Sequence, residues 1–224
     1  MYLGAKSGSG VFQTIVAQMP PHDCYIETHF GTGAVLRAKP KAARSIAIEI
    51  DQKTLIDFPP PDGVEVVNAC AHQFLRNFDF DCAGRVLAYL DPPYVKTTRS
   101  SSNRYRFDYD DAQHKDLLCL IKQLPCAVII SGYPSQLYSE ALAGWRKLEF
   151  QAMTRGGPRT ECIWMNFPAG NVQWSRFAGQ NFTDRQRIKR KAARWAANYA
   201  ALIPGERLAV LQAILGTHDH PDEA

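Results

Sequence analysis

The chain has 224 residues, 46% of them hydrophobic, enough for one large domain with its own core and a small appendage. Its six cysteines include no C-x-x-C pair, which excludes a zinc ribbon or a thioredoxin-type redox motif. A formal net charge of +4 is too mild to assign a partner, so the placement of charges has to carry that question.

Residues Met1 to Lys6 lack the apolar run of a signal peptide, and no segment approaches the roughly 18 apolar residues of a membrane span. A cytoplasmic protein with free thiols is expected, with Cys119 and Cys126 buried in apolar stretches. Val11, Ile15, Val16 and Met19 fit one helical face. Strands are predicted at Tyr25–Phe30, Ser45–Ile50, Val64–Ala69 and Val86–Leu90. Leu117, Leu118, Ile121 and Leu124 mark another helix, followed by strands at Ala127–Ser131, Leu148–Met153 and Cys162–Phe167. Alternating strands and helices predict an α/β fold with a doubly wound sheet.

The last part of the chain changes character. Thr183 and Gln186 read as a capping box. Ile188, Ala192, Trp195 and Tyr199 then share one face of a helix whose remainder is crowded with Arg185, Arg187, Lys189, Arg190, Lys191 and Arg194. Pro204-Gly205 is expected to stop it. Leu208, Leu211, Ile214 and Leu215 form the stripe of a second helix, and residues 218–224 form a tail. His218 and His220 lie in that tail without further ligands, so no metal is expected.

Three segments carry chemistry. The first predicted strand runs into Gly31-x-Gly33, a spacing that lets the backbone turn tightly and approach a ligand. The third glycine of a dinucleotide fingerprint is replaced by Leu36, which counts against a pyrophosphate cofactor. An ordinary strand–helix turn remains the alternative. The second segment, Ile46 to Asp51, is an apolar strand ending in acid about 20 residues later, where Glu49, with Asp51 beside it, suits ribose hydroxyls. A solvated strand end is the bland alternative.

The third segment, Asp91-Pro92-Pro93-Tyr94, directly follows the strand Val86–Leu90. The prolines make a stiff turn on which the Asp91 carboxylate and the Pro92 carbonyl can converge. Both are acceptors, an amino group offers two donors, and Tyr94 adds a flat face. The set suits an amine on an aromatic ring. Such an amine is a poor nucleophile until acceptors on its hydrogens localise the lone pair.

At these residues the chain resembles the Dam-like class of DNA adenine-N6 methyltransferases. Tyr2-Leu-Gly-Ala-Lys6 is similar to the family's opening motif, Glu27 to Gly33 to its acidic-Phe-Gly-x-Gly turn, and Asp91 to Tyr94 to its catalytic tetrapeptide. Ile130 to Tyr133 and Thr160 to Asn166 resemble its later strands. The resemblance implies a Rossmann-like seven-stranded methyltransferase sheet with helices on both faces over residues 1–180. A basic helical extension at 181–217 and a tail at 218–224 would follow. It implies S-adenosylmethionine as cofactor, held by Tyr2, Lys6, Glu27, Phe30, Gly31, Gly33, Glu49, Asp51, Cys70 and Asp91. It further implies duplex DNA with a flipped adenine as partner, with Asp91, Pro92, Pro93 and Tyr94 catalytic.

The chain departs from the family twice. Cys70 stands where an aspartate beside the cofactor's adenine is usual, and Asn68 is the residue that would compensate. Residues 52–90 leave no room for a full target-recognition domain. Two segments remain for DNA contact. Lys96, Arg99, Arg104, Tyr105 and Arg106, with Tyr109, interleave cations and aromatics; a surface loop is the alternative. Arg187, Arg190 and Arg194 on the basic helix suit phosphates; a solvated face is the alternative. Methylation of RNA adenine or of cytosine N4, and a non-catalytic DNA-binding protein with a degenerate site, are the rival readings.

Overall fold

Seven strands form one sheet in the order β3-β2-β1-β4-β5-β7-β6. They are β1 (Cys24–Thr28), β2 (Arg44–Glu49), β3 (Glu65–Asn68), β4 (Val86–Leu90), β5 (Ala127–Gly132), β6 (Arg146–Thr154) and β7 (Gly157–Met165). The first five run parallel, and β7 is antiparallel to both β5 and β6. The computed structural model describes residues 6–8, 10–99, 106–154, 157–170, 174–179 and 181–216. By contact density the chain divides into two units, Met1–Phe177 and Ala178–Ala224.

The near-continuous apolar runs are strands because both faces of the sheet are covered. Every residue of β1 and β4 is buried. Successive β1 side chains enter opposite cores: Cys24 and Ile26 one, Tyr25 the other. Helices α1 (Val11–Ala17) and α2 (Ala34–Ala38) cover the Tyr25 face, with Leu55 of α3 (Gln52–Asp57) at its margin. Helices α4 (Ala71–Asn77), α5 (Asp111–Ile121) and α6 (Gln136–Ala141) cover the Ile26 face. Val11, Ile15, Val16 and Met19 are all buried. Each such aliphatic side chain contributes about 1.5–3 kcal/mol relative to exposure.

The observed elements depart locally from the sequence expectations. Strand β7 starts at Gly157, not Cys162, because the polar stretch from Gly157 to Glu161 pairs along β6, from Thr154↔Gly157 to Phe150↔Glu161. Cys119 lies on the outer side of α5 and is exposed; Cys24 and Cys162 are the buried thiols, and all six cysteines are free. Helix α5 opens with a capping box: Asp110 accepts from the Gln113 amide at 2.8 Å, and Gln113 accepts from the Asp110 amide at 3.0 Å.

In the second unit, α7 (Phe182–Ala201) is capped by Asn181, which accepts from the Asp184 amide at 2.9 Å. The expected Thr183 box is therefore corrected. Asn181 is extended and caps as well as a threonine, so the helix begins at Phe182 and Thr183 falls inside its first turn. The basic helix stops ahead of Pro204-Gly205 as expected, and Pro204 has a second role. Helix α7 ends at Ala201, and Pro204 opens α8 (Pro204–Gly216), where its missing N–H costs nothing. Neither helix has a buried residue, and Trp195, Leu208 and Leu215 stay exposed. Among the described residues no helix is long and apolar enough to cross a membrane, and no group of His, Cys, Asp and Glu gathers for a metal. His218 and His220 lie outside those residues.

Candidate active site

The strand order reverses between β1 and β4, so their carboxyl ends flank a crevice where the chain diverges to either side. A cavity opens there. Its wall gathers the turn after β1, the ends of β2 and β3, the turn after β4, Lys6, and residues 106–109.

The turn after β1 depends on left-handed backbone. His29, Gly31 and Gly33 have φ of 55°, 53° and 63°. A Cβ at residue 33 would lie 2.1 Å from Cζ of Phe30, so glycine is required by space as well as by conformation. Gly33 does not line the cavity; it caps α2 and lets the Phe30 ring fold across the turn. His29 is the one non-glycine residue with positive φ among those described. It is held by Thr28 Oγ1 and by the Tyr109 hydroxyl, each 2.9 Å from a ring nitrogen. Burial pushes its imidazole down to about 3, so the ring is neutral at pH 7.

Glu49 ends β2 beside this turn. Its Oε2 accepts from the Gly31 amide at 2.9 Å and its Oε1 from the Asp51 amide at 3.0 Å. Burial raises the carboxyl while the amide bonds oppose the shift. Each oxygen keeps a second lone pair for a ligand hydroxyl. Asp51 caps α3 and also accepts from Arg106 Nη1 at 2.8 Å, which ties residue 106 to the cavity rim. Glu27 lies deeper. Burial pushes it up to about 8, although Oε2 accepts from the Tyr25 hydroxyl at 2.7 Å.

Cys70 lines the cavity at the start of α4, with Sγ 3.8 Å from Nδ1 of His72. The same Nδ1 is 3.2 Å from the Tyr109 hydroxyl. Cysteine, histidine and tyrosine therefore make the wall at the end of β3, where an acid was the family expectation. Asn68 does not substitute for that acid. Its amide donates to the Glu49 and Ile50 carbonyls at 2.8 and 3.0 Å and does not line the cavity.

On the other side, β4 delivers Asp91, Pro92, Pro93 and Tyr94 to the cavity. Asp91 Oδ1 lies 2.8 Å from Lys6 Nζ, and both side chains are largely buried. Burial pushes the Asp91 carboxyl up, and the Lys6 ammonium pulls it back down. Lys6 Nζ is also 4.8 Å from the Tyr94 ring centroid, a cation–π distance. The Tyr94 hydroxyl donates to Glu161 Oε2 at 3.2 Å, and its ring meets Tyr133 edge to face at 4.5 Å.

The structure thus brings together Lys6, Glu27, Phe30, Gly31, Glu49, Asp51, Cys70, Asp91, Pro92, Pro93 and Tyr94. Tyr2, Arg104 and Tyr105 lie outside the described residues. Of the proposed nucleic-acid contacts, Lys96 is exposed. Arg99 is turned inward, its Nη2 donating to both Asp108 oxygens at 2.8 Å. Arg187 is paired with Asp184 at 2.7 Å, while Arg190 and Arg194 are exposed. Reasoning from sequence missed His72, Phe107 and Glu161, and it read Tyr109 as part of a DNA-contacting segment, whereas Tyr109 lines the cavity. Glu161 had a signal: it is the acid that opens the apolar run Cys162 to Met165.

Parallel strands β1 to β5 with an antiparallel β7 inserted beside β5, helices on both faces, and a cavity at the carboxyl ends make this a Rossmann-like methyltransferase fold. No protein-family model and no curated protein sequence matches the chain. Among solved structures it is similar to a precorrin-6y C5,15-methyltransferase from Geobacter metallireducens, at 10% identity, TM-score 0.44, and 68% of this chain against 84% of that one. It is similar to the O-methyltransferase TomG from Streptomyces achromogenes, at 13% identity, TM-score 0.45, and 68% against 77%. It is also similar to a dimethyladenosine transferase from Plasmodium falciparum, at 13% identity, TM-score 0.42, and 69% against 60%. Likeness this distant assigns no reaction; that has to come from the residues.

Proposed function

We propose that the chain is an S-adenosylmethionine-dependent methyltransferase acting on the exocyclic N6 of adenine in DNA. The observation that carries the reading is the placement of Asp91-Pro92-Pro93-Tyr94 at the end of β4, in one cavity with Glu49 and the glycine turn.

The residues fit the cofactor. The turn at Gly31 and Gly33 is drawn tight enough that a Cβ at 33 would strike Phe30. Glu49 has lone pairs left for two ribose hydroxyls, and the wall at Cys70, His72 and Tyr109 replaces the usual acid near the adenine. When bound, the cofactor supplies a methyl group already activated on a sulfonium centre. The chain then aligns the nucleophile. Asp91 and the Pro92 carbonyl accept the two hydrogens of the base amine and turn its lone pair toward the methyl carbon. Transfer of the methyl would form the N–C bond as the methyl–sulfur bond breaks, its electron pair staying on sulfur, and the cationic nitrogen would shed a proton to the Asp91 carboxylate. Tyr94 offers its face to a base extruded from the duplex. Alignment and preset charge do the work.

Residues 52–90 hold only α3, β3, α4 and β4 beyond their connecting turns, which leaves no separate recognition domain there. DNA contact is assigned instead to Lys96, Arg104, Tyr105 and Arg106, of which Arg106 lines the cavity, and to Arg187, Arg190 and Arg194 on α7.

The test is incubation of purified protein with methyl-labelled cofactor and unmethylated DNA, followed by nucleoside analysis. N6-methyldeoxyadenosine is the expected product. Label confined to RNA, or to cytosine, would overturn the substrate assignment. Cofactor binding without transfer to any nucleic acid would favour a degenerate site.

A further inference from the structure

Glu161 is a buried carboxylate with no part in the reaction described so far. Strand β7 presents it where that strand passes the carboxyl end of β5, next to the pair Gly132↔Cys162. Its Oε2 accepts from the Tyr94 hydroxyl at 3.2 Å and lies 3.8 Å from Lys6 Nζ. The same ammonium lies 2.8 Å from Asp91 Oδ1. One cation therefore serves two carboxylates, and the second carboxylate also holds the ring beside the first.

We propose that Glu161 is a positioning residue of the amine-gripping turn: it fixes Tyr94 by its hydroxyl and shares Lys6 with Asp91. The inference rests on the reading of Asp91 and Tyr94 as the turn that holds the base.

The physical reason is the strength of Asp91 as an acceptor. A carboxylate paired alone with a buried ammonium has its charge drawn toward that cation and is a weaker acceptor for an amine hydrogen. A second carboxylate on the same cation divides the pull, and it repels Asp91 directly. The charged and titratable groups facing Asp91 are Lys6 before α1, Glu27 from β1, Tyr94 from its own turn and Glu161 from β7. Buried Tyr25 and Tyr89 lie close enough to feel its charge. In this set burial and Glu161 push the Asp91 carboxyl up, and Lys6 and the Tyr94 hydroxyl pull it down. Removing the Glu161 charge must therefore let Asp91 titrate lower.

Glu161→Gln tests this with little change of shape. It keeps an acceptor for the Tyr94 hydroxyl and deletes the charge; Glu161→Leu deletes both. Asp91 is followed by NMR of carboxyl-labelled aspartate, its resonance assigned with Asp91→Asn. The expected result for Glu161→Gln is a titration midpoint lower by on the order of half a unit. The acid limb of the rate profile should move in the same direction. Glu161→Leu should lose roughly tenfold more kcat than Glu161→Gln, with KM for DNA little changed. An unchanged or higher Asp91 midpoint in Glu161→Gln overturns the proposal, as does equal kcat in the two variants. The NMR titration needs no turnover. A shifted midpoint in a protein that methylates no adenine would sink the reaction assigned above and leave the coupling of Glu161 to Asp91 standing.

Discussion

The two walls of the cavity hold their carboxylates by different means. Glu49, on the glycine-turn wall, is gripped by the main-chain amides of Gly31 and Asp51. Asp91, on the opposite wall, is held by the side chain of Lys6, which Glu161 also approaches. Main-chain donors stay in place whatever the neighbouring side chains are, whereas an ion pair vanishes with one substitution. The first wall is set by the fold and is suited to holding a ligand in place. The second is set by a balance of charges and is suited to a group whose protonation matters during a reaction.

The strongest attempt to break this contrast is Asp91→Ala. Methyl transfer to DNA should fall by about 10³-fold or more. Cofactor affinity, measured by calorimetry, should stay within a few-fold, because Glu49 and the glycine turn are untouched. Parallel loss of cofactor binding and turnover would show that the walls do not act separately. The matching change on the first wall is Gly33→Val. It forces a β-branched residue to a φ of 63° with its Cβ 2.1 Å from the Phe30 ring. A cost of about 2 kcal/mol or more follows from left-handed strain and displacement of that ring. That corresponds to a melting temperature lower by several degrees, with weaker cofactor binding. A variant that melts like the parent would mean the turn has slack.

The contrast also explains what could be read in the sequence. The first wall was legible because its parts are local: a glycine pair after an apolar strand, and an acid at the end of the next. Strand β4 and its tetrapeptide were legible for the same reason. Glu161 had a local signal as the acid opening an apolar run, but its role was not legible, because its partner Tyr94 lies 67 residues away and the antiparallel seventh strand brings them together. Tyr109 joins His29 across 80 residues, again a contact no local pattern encodes. Helix caps failed where two good candidates competed within a few residues, as at Asn181 and Thr183.

Glu27 sharpens the comparison on the first wall, since it is a carboxylate there that burial keeps protonated at pH 7. Its ordinary value is 4.5, and burial pushes it up to about 8 in the folded chain. Between those values the folded state binds a proton that the unfolded chain has released. The stability from this group is therefore full below about pH 4.5 and is lost as pH rises through about 8. Glu27→Gln cannot lose that proton. Denaturant unfolding at about pH 5 and pH 7.5 should show the variant gaining on the parent as pH rises. A difference independent of pH would mean that Glu27 is ionised in the fold throughout that range.

The smallest expected effect lies outside both walls. On α7, Arg190 is exposed, while Arg187 already donates to Asp184 at 2.7 Å. A guanidinium that must leave a carboxylate to reach a phosphate gains less from the exchange. Arg190→Ala should therefore weaken DNA binding a few-fold at all sequences and lower the salt slope by about 0.9. Arg187→Ala should do less than Arg190→Ala. Cofactor affinity and the Asp91 titration should be unmoved in both, since neither arginine lines the cavity. If the salt slope is unchanged in Arg190→Ala, the basic helix is a solvated face, and the burden of DNA contact falls on the exposed Lys96 and on Arg106 at the cavity rim.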